Sequence, residues 1–205
     1  MAHVSLYNQS LCRANGERER MKIITHIILL ITLVFISGCN NDEPKFSSAQ
    51  IQNALFELKG TYYGDMKVSY YHGETISEGN ACKAVSKDSL TVNMDLSLMA
   101  SVITDEYISS ILREIGVVQV KAGYEFLQMD DSMYHFVLLP DSVICDGGLE
   151  NPVTVKIVFS QLFGGDAAYR YHNIMFNLSP TELWIGDKMY EPFQQLVYHY
   201  EGTYE

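Results

Sequence analysis

The four histidines beyond residue 39 each follow a tyrosine: Tyr71-His72, Tyr134-His135, Tyr171-His172 and Tyr198-His199. All four pairs fall in stretches that read as strands, so each strand turns Tyr to one face and His to the other. Neighbouring strands in register could bring such histidines onto one metal. Metal sites, however, usually carry their ligands at short fixed spacing, and neither H-x-H nor H-E-x-x-H occurs. No metal site and no cofactor is therefore read. Nucleophile chemistry has no local support, because G-x-S-x-G is absent. Glycoside hydrolysis needs two carboxyls about 5–10 Å apart across a cleft; Asp130 and Asp131 are adjacent and read as the start of a turn instead. No glycine-rich loop opens a helix, so phosphate or dinucleotide binding has no signal. No catalytic residue is assigned. A small hydrolase using Asp, Glu and His in a cleft is the alternative, and His172 or His199 beside a carboxylate would raise it.

Cys82 and Cys145 could form a disulfide in an oxidising compartment. On the chain-entropy model a loop of this length would contribute ~4 kcal/mol. Geometry decides between a bridge and two separate half-buried thiols. No C-x-x-C occurs, so neither a redox pair nor a zinc knuckle is indicated.

Aromatic side chains are the remaining candidates. Thirteen of the 14 tyrosines lie beyond residue 39, together with Trp184, the single tryptophan. Adjacent pairs such as Tyr62-Tyr63 and Tyr70-Tyr71 expose one ring when the other is buried. An exposed tyrosine is a rigid contact surface that also hydrogen-bonds. Tyr63, Tyr71 and Trp184 are the candidate ligand contacts, for a glycan, a small ligand or a protein; cross-strand packing is the competing explanation.

These residues must be positioned by strands. Tyr62, Met66, Val68 and Tyr70 alternate with Tyr63, Asp65, Lys67 and Ser69, the pattern of a half-buried antiparallel strand. Leu90, Val92, Met94, Leu96 and Leu98 alternate likewise. Further strands are read at 117–129, 133–139, 153–163, 170–178, 182–185, 188–190 and 193–201. Ser47 and Gln50 have capping-box spacing before a helix with Ile51, Leu55 and Leu58 on one face, ended by Gly60. A second helix is predicted with Thr104 as N-cap, the stripe Ile108, Ile111, Leu112 and Ile115, and a stop at Gly116. Asp130-Asp131-Ser132 reads as a tight turn and Ile185-Gly186-Asp187-Lys188 as a two-residue hairpin. Asp146-Gly147-Gly148 and Gly164-Gly165-Asp166 read as longer loops. The expectation is a mainly β fold, an antiparallel β-sandwich or flattened barrel with one or two short helices.

The N-terminal stretch has a different character. Met21 and Lys22 precede an apolar run from Ile23 to Ile36, broken only by Thr25, His26 and Thr32. Fourteen residues fall short of the roughly 20 a spanning helix needs. A short apolar run behind a positive start and before small residues is a secretory signal. Ile36-Ser37-Gly38-Cys39 resembles the lipobox of bacterial lipoproteins at every position. The resemblance implies cleavage before Cys39 and acylation of Cys39, and two or more acyl chains anchor stably where one does not. The division expected is a mis-assigned start or extended n-region at 1–20, a signal peptide at 21–38, a lipidated tether at 39–48 and one β-rich domain at 49–205.

An anchored Cys, a short tether, one helix and then Leu58-Lys59-Gly60-Thr61-Tyr62-Tyr63-Gly64 resembles small lipoproteins of gut Bacteroidetes. Several of their domain families have no assigned function, and some have calycin-like barrels. Asn173-Ile174-Met175-Phe176-Asn177-Leu178 and Leu183-Trp184-Ile185-Gly186-Asp187 are similar to the last strands of one such family. The resemblance implies a β-rich exported domain and supplies no catalytic residues. Asn40-Asn41-Asp42-Glu43 resembles in part a signal for surface display, so an outer-membrane lipoprotein facing outward is expected, with a periplasm-facing one as the alternative. From Cys39 onward, 10 basic and 23 acidic side chains leave a net charge of −13. Such a chain is repelled by phosphate backbones, so nucleic acid is not an expected partner; the membrane is met through the lipid.

Overall fold

A capping box starts the first helix. In a computed structural model, which describes residues 45–148, 151–191 and 193–204 (backbone alone at 77–80), Ser47 Oγ accepts from Gln50 N at 3.3 Å and Gln50 Oε1 accepts from Ser47 N at 2.9 Å. The helix, α1, spans Ser48–Glu57. It ends at Leu58 as C-cap, whose N–H donates to Ala54 O. Gly60 is not the stop the sequence predicts; it opens the first strand, β1 (Gly60–Tyr70). Met1–Pro44 lies outside the described residues, and with it Cys39, the signal segment and the expected tether up to residue 44.

Alternation then builds β2 (Thr75–Ser86), β3 (Leu90–Asp95), β4 (Val117–Met129), β5 (Tyr134–Pro140), β6 (Val143–Gly147), β7 (Val153–Phe159), β8 (Gly164–Ala168), β9 (Asn173–Leu178), β10 (Pro180–Ile185), β11 (Lys188–Met189) and β12 (Leu196–Tyr204). Helices α2 (Leu96–Ala100) and α3 (Glu106–Ile115) lie between β3 and β4. Eight strands close a barrel in the order β1-β12-β9-β8-β5-β4-β3-β2, every neighbour antiparallel. In this meander each strand pairs with the next barrel strand along the chain. The two excursions, β6–β7 and β10–β11, meet in a second antiparallel sheet of order β11-β10-β7-β6. The fold is mainly β, and of the two architectures expected it is the barrel, with a second sheet added.

The barrel closes on a core of alternating side chains. Tyr62, Met66 and Val68 of β1 are buried, while Tyr63 remains 48% exposed. Tyr198 and Tyr200 of β12, Phe176 of β9, Phe136 of β5 and Val120 of β4 join them. At about 1.5–3 kcal/mol per fully buried large apolar side chain, this interior is the main source of stability.

The connections sort into two ends. At one lie α1, the β2–β3, β4–β5 and β8–β9 turns and the end of β12. Helix α1 is fixed there: Tyr62 Oη donates to Leu58 O at 2.9 Å, Tyr134 Oη donates to Glu57 Oε2, and Lys45 Nζ donates to Leu127 O. At the other end lie the β1–β2 turn, α2, α3 and both excursions into the second sheet.

Several local expectations are corrected. The alternation from Leu90 to Leu98 stops being strand at Asp95, whose Oδ1 accepts from Ser97 N at 2.9 Å and starts α2. Asp105, not Thr104, caps α3, accepting from Tyr107 N and Ile108 N at 3.0 and 3.2 Å. Gly164-Gly165-Asp166 is not a loop but most of β8, and Asp146-Gly147 ends β6, a strand the sequence reading missed. Residues 160–163 lie outside β7, and 170–171 form a short 3-10 turn, Tyr169–Tyr171. The Asp130 turn forms, with Asp130 Oδ1 accepting from Ser132 N and Met133 N at 2.9 and 2.8 Å. So does the Gly186 hairpin, with φ +60° at the glycine.

Candidate ligand-binding cleft

β10 presents Glu182 and Trp184 on one face while Leu183, between them, is buried on the other. Trp184 Nε1 donates to Glu182 Oε2 at 2.7 Å, which fixes the indole on the sheet. Register places Met189 of β11 and Lys156 of β7 on either side of Trp184, with Ile144 of β6 beyond Lys156. Beside this row lies a depression of about 550 Å³ lined by Thr181, Glu182, Met189, Tyr190, Glu191 and Phe193. A second depression of about 240 Å³ is lined by Val102, Ile103, Thr104, Gln194 and the same Tyr190 and Phe193. Tyr190 and Phe193 line both, so the two depressions adjoin at these rings. As a pair they make a cleft region reaching from the β10–β11 hairpin to the α2–α3 connection, at the barrel end opposite α1.

Its walls are tied from behind. Gln195 Nε2 donates to Ser179 Oγ at 2.8 Å, and that buried hydroxyl donates to Leu196 O at 2.9 Å. Tyr190 N donates to Leu183 O at 2.8 Å. On the α2–α3 side the buried Ser109 Oγ donates to Ala100 O at 2.9 Å. An apolar floor with a few polar rim groups held by a second layer of hydrogen bonds is the usual make-up of a ligand site.

The sequence-predicted contacts are not brought together. Trp184 stands beside the cleft through Glu182. Tyr63 lines a separate depression of about 290 Å³ with Cys82, Lys83 and Asn93. Tyr71 is exposed in the β1–β2 turn, 3.9 Å from the His72 ring and edge-on to Phe163 at 5.7 Å. The cleft residues Tyr190, Glu191 and Phe193 were missed: the strands expected at 188–190 and 193–201 include Tyr190 and Phe193, whereas β11 stops at Met189 and β12 starts at Leu196, leaving both in the connection between them. Their one signal is two aromatics crowded into a short connection.

Cys82 and Cys145 are free thiols, one in the barrel and one in the second sheet. Cys82 Sγ donates to Asn93 O at 2.9 Å, and burial pushes its thiol up to about 11, so it is neutral at physiological pH and a poor nucleophile. Burial raises Cys145 as well. The four histidines do not converge. His135 contacts Asp166 across β5 and β8, and His199 Nδ1 meets Asn177 Oδ1 at 2.8 Å across β12 and β9. His72 and His172 are not in strands; both take left-handed backbone, at φ +57° and +51°. Among the described residues no group of three or more His, Cys, Asp or Glu could hold a metal ion. No helix among them is long and apolar enough to cross a membrane.

Fold and cleft define a closed eight-stranded antiparallel barrel with a ligand-sized cleft at one end. No protein-family model, curated protein or solved structure matches the chain.

Proposed function

We propose that this chain is an exported, lipid-anchored protein of the cell envelope that works as a binding module, using the cleft around Tyr190 and Phe193. The observation that carries the binding reading is that two adjoining depressions share those two rings as lining. The reading of place rests on Ile36-Ser37-Gly38-Cys39 and its resemblance to the lipobox. The chain enters the barrel at the end carrying α1, through Lys45, six residues after Cys39.

A hydrolase reading has one supporting contact, His135 with Asp166, a pair that could polarise a nucleophile. The two side chains are 36% and 41% exposed on the outer barrel wall and line none of the three depressions described above. Binding is the better-supported reading.

The wild type and a Tyr190→Ala/Phe193→Ala variant should be compared on glycan and peptide arrays. Ligands held by the wild type are expected to weaken at least about tenfold, the loss of roughly 1.4 kcal/mol or more of contact. Both rings are half-buried, so the variant should melt within several degrees of the wild type. Equal retention of every ligand by the variant would remove the cleft from the account.

A further inference from the structure

We infer that the cleft recognises a basic peptide segment, with an arginine or lysine side chain between Glu182 and Glu191 and an apolar neighbour against Tyr190 and Phe193. This rests on the reading of the cleft as the binding site. Three features select that occupant. First, charge is one-sided: the larger depression is lined by two carboxylates, and neither depression has a lysine or arginine in its lining. An anionic ligand would meet repulsion there, and the net charge of −11 on the whole chain adds to it at long range while drawing cations in.

Second, the carboxylates stand beside aromatic faces. A guanidinium over Tyr190 or Phe193 gains a cation–π contact while a Glu oxygen accepts its hydrogen bonds. Glu182 uses Oε2 for Trp184, which aims the carboxyl and leaves Oε1 for a ligand. Third, the cleft has two adjoining parts, acidic at the β10–β11 side and uncharged, with Val102 and Ile103, at the α2–α3 side. An extended peptide presents alternate side chains to such a surface, one charged and one apolar.

Trp184, the only tryptophan, reports on the site through its bond to Glu182. The full-length chain should be titrated with three probes: a blocked hexapeptide alternating arginine and phenylalanine, its counterpart with glutamate for arginine, and maltohexaose. The arginine peptide is expected to change Trp184 emission saturably. Its affinity should fall several-fold between about 20 and 200 mM salt, as screening sets in. Glu182→Gln/Glu191→Gln should weaken it at least about tenfold. The amide at 182 can still accept from the indole, so the unliganded spectrum should stay in place. Saturable binding of the glutamate peptide, an unchanged affinity in the Gln variant, or no saturable response to the arginine peptide would each overturn the proposal. A response to maltohexaose alone would overturn it too while keeping the cleft as a binding site. The array comparison of the Tyr190→Ala/Phe193→Ala variant tests that broader reading separately.

Discussion

Gly165→Ala is expected to destabilise this barrel severely and to leave little soluble protein. A Cβ at residue 165 would lie 1.9 Å from Met175 O and 2.6 Å from Phe176 Cα. Those are backbone atoms of the paired strand β9, so no rotamer change relieves the overlap. Gly164 is in the same position against Phe136 O of β5, also at 1.9 Å. Strand β8 is thus a ribbon of small residues wedged between its two neighbours, and closure depends on their close approach. Overpacking usually costs 1–3 kcal/mol; a clash with the fixed backbone of β9 should reach about 4 kcal/mol or more. That is a large part of the roughly 5–15 kcal/mol a domain of this size has. Gly123→Ala is the control. Its Cβ would sit 3.8 Å from Leu139 Cβ, ordinary contact, and its effect should be within about 1 kcal/mol. Urea midpoints for the two variants decide the matter. Equal midpoints would mean that β8 does not hold β5 and β9 at the spacing described.

The second large effect is alkaline unfolding. Burial is the leading cause that raises the hydroxyls of Tyr62, Tyr124, Tyr134, Tyr198 and Tyr200 above the ordinary value of 10, with Tyr62 pushed up to about 12. The sign follows from proton counting. Above pH 10 the unfolded chain releases these protons while the folded chain keeps them. The native state then binds more protons, and stability falls as pH rises. For Tyr62 the loss runs from pH 10 to about 12; for the other four it continues beyond. Cys82, raised from 9 to about 11, adds a loss that begins earlier and runs from pH 9 to about 11. Each fully engaged group costs about 1.4 kcal/mol per pH unit, so the buried tyrosines together make stability fall steeply above pH 10. The expected observation is a cooperative loss of far-ultraviolet signal between pH 10 and 12, accompanied by a step in tyrosinate absorbance. Independent, reversible ionisation with the fold intact would contradict it. The buried hydroxyls of Tyr198 and Tyr200 make no well-formed hydrogen bond and only approach the backbone at Met99 and Ala84. Replacing either with Phe should move the transition to higher pH and cost little at neutral pH.

The parts legible in the sequence are those governed by neighbours in the chain. The alternation of Tyr62, Met66 and Val68 marks the buried face of β1, and Ser47 with Gln50 marks the start of α1, because each signal is complete within a few residues. The same holds for Gly186 and Asp130. Gly164-Gly165 misled because two glycines ordinarily signal a turn, whereas here the partner backbones on both sides demand them. Leu96 and Leu98 continued a strand pattern, but the Asp95 cap and the bond from Leu96 N to Gly116 O at 2.8 Å draw the chain into α2 instead. The cleft was illegible for a similar reason. Tyr190 and Phe193 are brought beside Val102 and Ile103 by the order of the strands, and that pairing spans some 90 residues.

The proposal that Cys39 holds the protein at a membrane, with its barrel in water, is tested most directly on cells. Intact cells producing the wild type or Cys39→Ala should be shaved with protease and then fractionated. The wild type is expected in the membrane fraction and lost to the protease, while the variant is released from the membrane. Anchoring and processing unchanged by Cys39→Ala would contradict the lipoprotein reading, and an anchored wild type that survives shaving would turn the cleft toward the periplasm.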